Sequence, residues 1–315
     1  MMMPFKETLN KSLSGLAGLL LLFAGAARAE AELHCPPPPP DTPPVDTAGI
    51  THPQGLLWRI DRADAKPSYI YGTIHISDED VLKLAPPVEQ VLDHAESFVM
   101  EALFDEHAAA TFVQLMYTDD NTRLEKQAGP ALFKRASTLL ERYGIIELAA
   151  RRMKPWAAFL MLSQPAGEQG VPLDLTLMTR ANSHGARVYG LESIQEQADV
   201  FGTMPLADQL TLLRDTVCEY DEVQKELNRL KSFYMAHDLA SLKAMEIEFA
   251  QDNEALSRQV ARRLITERNR RMVHRLRPRL SEGNAFIGIG ALYLPGDDGV
   301  LNLLEKQGYT VTPLY

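Results

Sequence analysis

Apolar and polar positions change their spacing along the chain in a way that separates strands from helices. "LLWRID" (56–61) and "SYIYGTIH" (68–75) alternate on either side of the polar turn "RADAKP", predicting a β-hairpin with a longer loop. "APPVEQVLDHAE" (85–96) opens on paired prolines and carries apolar residues at 88, 91 and 92, which predicts a helix. "SFVMEAL" (97–103) is a short apolar run that fits a buried strand. Helical spacing follows over 106–118, 130–142, 154–164 and 174–184. One strand interrupts, "ARVYGLE" (186–192), entered through a glycine stop at Gly185. Leu206, Leu210, Leu213, Val217 and Tyr220 then predict one long amphipathic helix over 205–234. Two more helices are expected over about 238–250 and 254–277, the last ended by Pro278. The chain returns to β with "NAFIGIGALYL" (284–294), a short helix (298–308) and a final strand (309–315).

Two blocks in this order share one plan. Strand, Gly72-Thr73-Ile74-His75, acidic loop, helix and strand come first; strand, Gly290-Ala291-Leu292-Tyr293, Asp-rich loop, helix and strand come last. The fold class expected is therefore α/β: a mixed central sheet from two degenerate βαβ halves, with a large helical insert over about 105–280 between them. Parallel sheets gather ligands at the carboxyl ends of their strands, so both motifs should face one cleft.

The first residues follow different rules. Lys6 and Lys11 precede a short apolar block, 13–27, and an Ala27-Arg28-Ala29 pattern, which reads as a signal peptide over 1–29. A membrane anchor is the rival reading, but the block falls short of the roughly 20 apolar residues a spanning helix needs. A Pro-rich extended segment (30–54) then leads into the domain expected at 55–315. The protein would be periplasmic or secreted, with no stable membrane insertion after cleavage. In an oxidising compartment Cys35 and Cys218, the two cysteines, could form one disulfide; two free thiols are the alternative. The net charge of −10 disfavours nucleic acid and anionic lipid as partners.

Candidate chemistry sits at strand ends. His75 can bind a metal or move protons near neutral pH, or simply bond a loop backbone. Glu101 and Glu192 close apolar strands, where a carboxylate needs a partner, a task or solvent. Asp174 stands at a helix start and reads first as an N-cap. Arg268 is one of nine arginines between 258 and 279, most of which must form a solvated face. His75, Glu101 and Glu192 make an N/O set suited to zinc, manganese, iron or cobalt, which could activate water. Without metal, the same set could work as acid and base. No HExxH, GxSxG or Walker motif occurs.

Taken together, "YIYGTIHISDED", "VEQVLDHAESFVMEA", "VPLD…ANSHGARVYGLES", "ITERNRRMV" and "FIGIGALYLPGDDG" resemble the TraB/GumN family, in order from about Leu56 to the C-terminus. The resemblance implies paired G-x-x-H motifs and acidic residues around a cleft and, in the Tiki-like members, metal-dependent peptide cleavage. By resemblance His75 matches the first motif histidine and Glu101 the strand glutamate. Asp174, Glu192 and Arg268 match the later acidic and arginine positions. Tyr293 departs from the pattern, which has a second histidine there. A phenol with a pKa of about 10 is a poor metal ligand at neutral pH. The resemblance thus implies a metal-dependent, peptidase-like hydrolase; Tyr293 leaves open weak metal binding, a different chemistry, or a non-catalytic protein that holds a peptide or small-molecule ligand on the same fold.

Overall fold

A computed structural model describes residues 33–35, 45–118, 124–167, 170–252 and 255–315. The expected signal peptide and most of the Pro-rich segment lie outside the described residues. Six strands form one mixed sheet: β1 (Leu57–Asp61), β2 (Ser68–Thr73), β3 (Ser97–Ala102), β4 (Arg187–Glu192), β5 (Ala285–Gly290) and β6 (Thr310–Pro313). Their order across the sheet is β4-β3-β5-β2-β1-β6. β2, β3, β4 and β5 are mutually parallel, while β1 runs antiparallel to both β2 and β6.

The two motif-bearing strands, β2 and β5, are direct neighbours, with Thr73 opposite Gly290. Their crossovers differ in reach. The chain leaving β2 returns as β3, with only β5 between them; the chain leaving β5 returns as β6, beyond β2 and β1. Burial is nearly continuous along β2, β3 and β5, since helices cover both faces there. Phe98 and Phe286, stacked at 6.0 Å on adjacent strands, are fully buried and centre that core. Losing either ring would cost about 3–5 kcal/mol.

Between β3 and β5 the regular elements among the described residues are helices apart from β4. A second apolar core, containing Phe133, Trp156, Phe201 and Leu213, forms among these helices. The helix expected over 205–234 is in fact two, Leu206–Cys218 and Tyr220–Met235, broken at Glu219 (φ −107°, ψ 23°). Cys218 at that break is disulfide-bonded to Cys35. A helix not expected from the sequence, Ile194–Gly202, opens on a capping box between Ser193 and Glu196. Pro278 does not end the last helix; it lies inside Glu267–Glu282, which stops at Gly283. Gly283 has φ 75°, and a Cβ there would meet the Lys66 backbone at 2.6 Å, so only glycine fits. The strands expected to reach His75 and Leu294 end earlier, at Thr73 and Gly290, and Tyr293 sits on a 3₁₀ turn, Ala291–Tyr293.

Candidate active site

The carboxyl ends of the four parallel strands carry His75, Glu101, Glu192 and Tyr293 to one edge of the sheet. Gly72 explains the first glycine of its motif. A Cβ there would lie 2.9 Å from Leu294 Cδ1 and 3.2 Å from Ala291, so the second motif can pack against the first only if this position has no side chain.

His75 is the open member, with 59 % of its side chain exposed. Its Nδ1 lies 2.6 Å from Asp174 Oδ2. Asp174 is buried, and its other oxygen accepts a 2.5 Å hydrogen bond from Thr73 Oγ1. It is not the N-cap expected from sequence: Pro172 holds that place, and the carboxylate turns from the first turn of the helix towards β2. Oδ2 has no aligned hydrogen-bond donor despite its closeness to His75. His75 Nε2 faces Glu101 Oε1 at 3.7 Å, too far for a direct hydrogen bond. Asp174 raises the imidazole well above its ordinary pKa; partial desolvation opposes this, and Glu101 adds to it.

Below His75 lies a buried ionic cluster centred on Arg268. Its guanidinium donates to Glu101 Oε2 (2.6 Å), to Glu192 Oε2 (2.7 and 2.9 Å) and to the Tyr293 hydroxyl. Arg271 donates to the second oxygen of Glu192 at 3.0 Å. Glu101 Oε1 accepts from the Gly290 amide at 2.9 Å. Burial alone would drive Glu101 towards its neutral form, but Arg268 and His75 outweigh it and hold the carboxyl well below the usual range. The Tyr293 phenol is pushed up by burial, against the pull of Arg268. A π-helical turn, Arg262–Thr266, immediately precedes the helix that carries Arg268 and Arg271.

Two donors, His75 Nε2 and Glu101 Oε1, therefore converge, and a third is missing. Glu192 is turned away, with both oxygens on arginines, and the Tyr293 oxygen is held by Arg268. Among the described residues no group of three or more His, Cys, Asp or Glu is disposed to hold a metal ion. A catalytic zinc takes three protein ligands. This donor set does not fit a tightly held metal, because a guanidinium already neutralises the carboxylates that would bind one.

The site opens on a groove of about 590 Å³ whose lining includes His75, Pro172, Gln164, Tyr143 and Arg142. Neither Thr73, which anchors Asp174, nor the far wall of this groove is marked by any motif.

The TraB/PrgY/gumN family profile matches residues 56–313. The chain belongs to that family. Within it the chain is 23% identical over 309 residues to "Metalloprotease TIKI1" of Danio rerio, covering 81% of this chain and 62% of the relative. It is 24% identical over 313 residues to "Metalloprotease TIKI homolog" of Amphimedon queenslandica, covering 82% and 61%. The match thus spans about three fifths of the length of these curated relatives. No solved structure matches the chain. The family match takes in both glycine motifs, the strand-end carboxylates and Arg268.

Proposed function

We propose that this TraB/PrgY/gumN protein is a hydrolase of peptide bonds in which His75 carries the proton transfers. The single observation behind the reading is the 2.6 Å approach of buried Asp174 to the exposed His75, which pairs the imidazole with a carboxylate beside the groove. The neutral imidazole would take a proton from the attacking water, and the imidazolium would return it to the leaving nitrogen. Asp174 stabilises the charged ring. The Arg268 cluster fixes the strand ends and keeps Glu101 ionised beneath the ring. Protease names among the relatives support the peptide class. Their names also say metalloprotease, and metal dependence would be the finer form of the same reading. The donor set speaks against it here. Action outside the cytoplasm is supported by the leader-like residues 1–29 and by the disulfide. No helix among the described residues is long and apolar enough to cross a membrane.

Purified protein incubated with a quenched-fluorescent peptide pool tests the reading. Cleavage that falls about 100-fold or more in His75→Ala, and strongly in Asp174→Asn, supports it. No cleavage by wild type, with or without added Zn²⁺, Mn²⁺ or Co²⁺, defeats it. A non-catalytic peptide-binding protein on the same fold is the second reading, favoured by the Tyr293 hydroxyl being locked onto Arg268.

A further inference from the structure

The chain that carries His75 is gripped from outside the sheet on both sides of the histidine. In an antiparallel pair, facing residues can exchange both backbone hydrogen bonds. Gly72 gives its half: its amide donates to Leu56 O at 2.8 Å. The Leu56 amide does not return the bond, because it donates to Tyr315 O at 2.6 Å. The Gly72 carbonyl, three positions before His75, is satisfied instead by a side chain: the Tyr234 hydroxyl donates to it at 3.0 Å. Tyr234 is buried, and burial pushes its phenol well above the ordinary value, so it keeps its proton and stays a donor.

The second grip comes from the same helix, Tyr220–Met235. Lys231 precedes Tyr234 at the i, i+3 spacing that sets both on one face. Its ammonium pairs with Asp78 Oδ2, three positions after His75, and holds that carboxyl below its ordinary range. Asp78 is the N-cap of the short helix Glu79–Leu82, with its other oxygen accepting from the Asp80 amide at 3.1 Å. Leu230 and Phe233 pack on the core of the sheet, which fixes the rotation of the Tyr220–Met235 helix and so the direction of its grip. Positions 72 and 78 are thus held by one helix face, with His75 midway between them. Asp174 is carried by a different helix, whose Leu173 amide donates to Ile76 O at 3.1 Å. The imidazole and the carboxylate that meet at 2.6 Å therefore depend on two helices anchored to one short turn.

We propose that Tyr234 and Lys231 are positioning residues for His75: they clamp the chain at Gly72 and Asp78 and so hold the imidazole against Asp174. This rests on the peptide-hydrolase reading and assigns the site two further residues, which act through the backbone that bears the histidine.

The test uses the full chain and two readouts. With a cleaved peptide as substrate, Tyr234→Phe and Lys231→Met should each lower kcat by about 10- to 100-fold and leave KM within about twofold, the mark of a misplaced catalytic group. Lys231→Arg keeps the ion pair and should recover most of the loss. Val217→Ala, in the second apolar core, controls for a general loss of stability and should leave kcat in place. The second readout needs no substrate. Amide hydrogen exchange over residues 73–78, followed by mass spectrometry, should run at least about fivefold faster in Tyr234→Phe and in Lys231→Met, the effect of one lost hydrogen bond or ion pair on local opening. Circular dichroism confirms that each variant is folded. Unchanged exchange over 73–78 in either variant, or Lys231→Arg behaving as Lys231→Met does, overturns the inference. So does cleavage that depends on His75 and is untouched by Tyr234→Phe, which leaves the hydrolase standing without the clamp. Faster exchange in both variants of a protein that cleaves nothing keeps the clamp and removes the hydrolase.

Discussion

Arg268 and Glu101 meet at 2.6 Å with both side chains almost fully out of solvent, joining a helix of the C-terminal third to the end of β3. Such a pair need not be a net source of stability, but breaking it is costly, because the surviving charge stays buried. Arg268→Met leaves Glu101 and Glu192 without their main counter-ion. It should lower stability by about 3–5 kcal/mol in urea denaturation. Adding Glu101→Gln should recover part of the loss. If Arg268→Met alone costs nothing, the cluster does not fix the strand ends.

His75 makes a prediction about pH. Its pKa is raised above 6.5 in the folded protein, so the ion pair with Asp174 is fully present below 6.5. That contribution is lost as pH rises through the raised value. Glu101 behaves oppositely: its carboxyl is lowered from 4.5, so its contribution is present above that value and fades as acid is added. An NMR titration of the His75 ring should give a midpoint above 6.5, and Asp174→Asn should bring it down. If His75 serves as the base, cleavage should climb on the alkaline side of neutrality, and the limb should move to lower pH in Asp174→Asn. A midpoint at or below 6.5 would contradict the geometry.

Tyr293→His offers a direct test of the missing donor. The ring of residue 293 and Glu101 Oε1 both crowd the space above Gly290, at 3.0 and 3.3 Å from where a Cβ would stand. An imidazole there would add a third donor beside His75 and Glu101. Elemental analysis after dialysis should find clearly more bound Zn²⁺ or Mn²⁺ in Tyr293→His than in wild type. Stoichiometric metal in the wild type would show instead that the native set is sufficient.

The disulfide should matter for stability. Cys35→Ser with Cys218→Ser removes a link across 183 positions, which should lower stability by about 2–4 kcal/mol. Denaturation with and without reductant measures it: reductant should weaken the wild type and leave the double variant unchanged.

How much of this was legible in the sequence depended on whether a residue obeyed a local rule. β1 and β2 alternate, and Glu101 and Glu192 each break the end of an apolar run, so strand period and burial marked them directly. Asp174 was visible as a helix-start acid, but its partners Thr73 and His75 lie about 100 positions away, and local capping logic pointed it the wrong way. Arg268 could not be told from its eight arginine neighbours by pattern; what distinguishes it is facing the sheet, a property of helix rotation after the π-helical turn. The break at Glu219 carries no glycine or proline, so periodicity ran straight through it. Pro278 shows the converse, a strong local breaker that the surrounding packing overrides.

The strand order carries a consequence for how the molecule comes together. β5 lies between β2 and β3, yet it is made long after both, from residues 285–290. Until it arrives, β1–β2 and β3–β4 are separate ribbons, each with an unpaired apolar edge towards the vacant slot. The last thirty-odd residues therefore act as a keystone: they join the ribbons, deliver the Gly290 amide to Glu101 and seat Tyr293 on Arg268 in one late event of high contact order. A chain stopped short of that strand would lack the Gly290 amide and Tyr293 that complete the cluster, and the core residues Phe286 and Ile287 that pack against the helices.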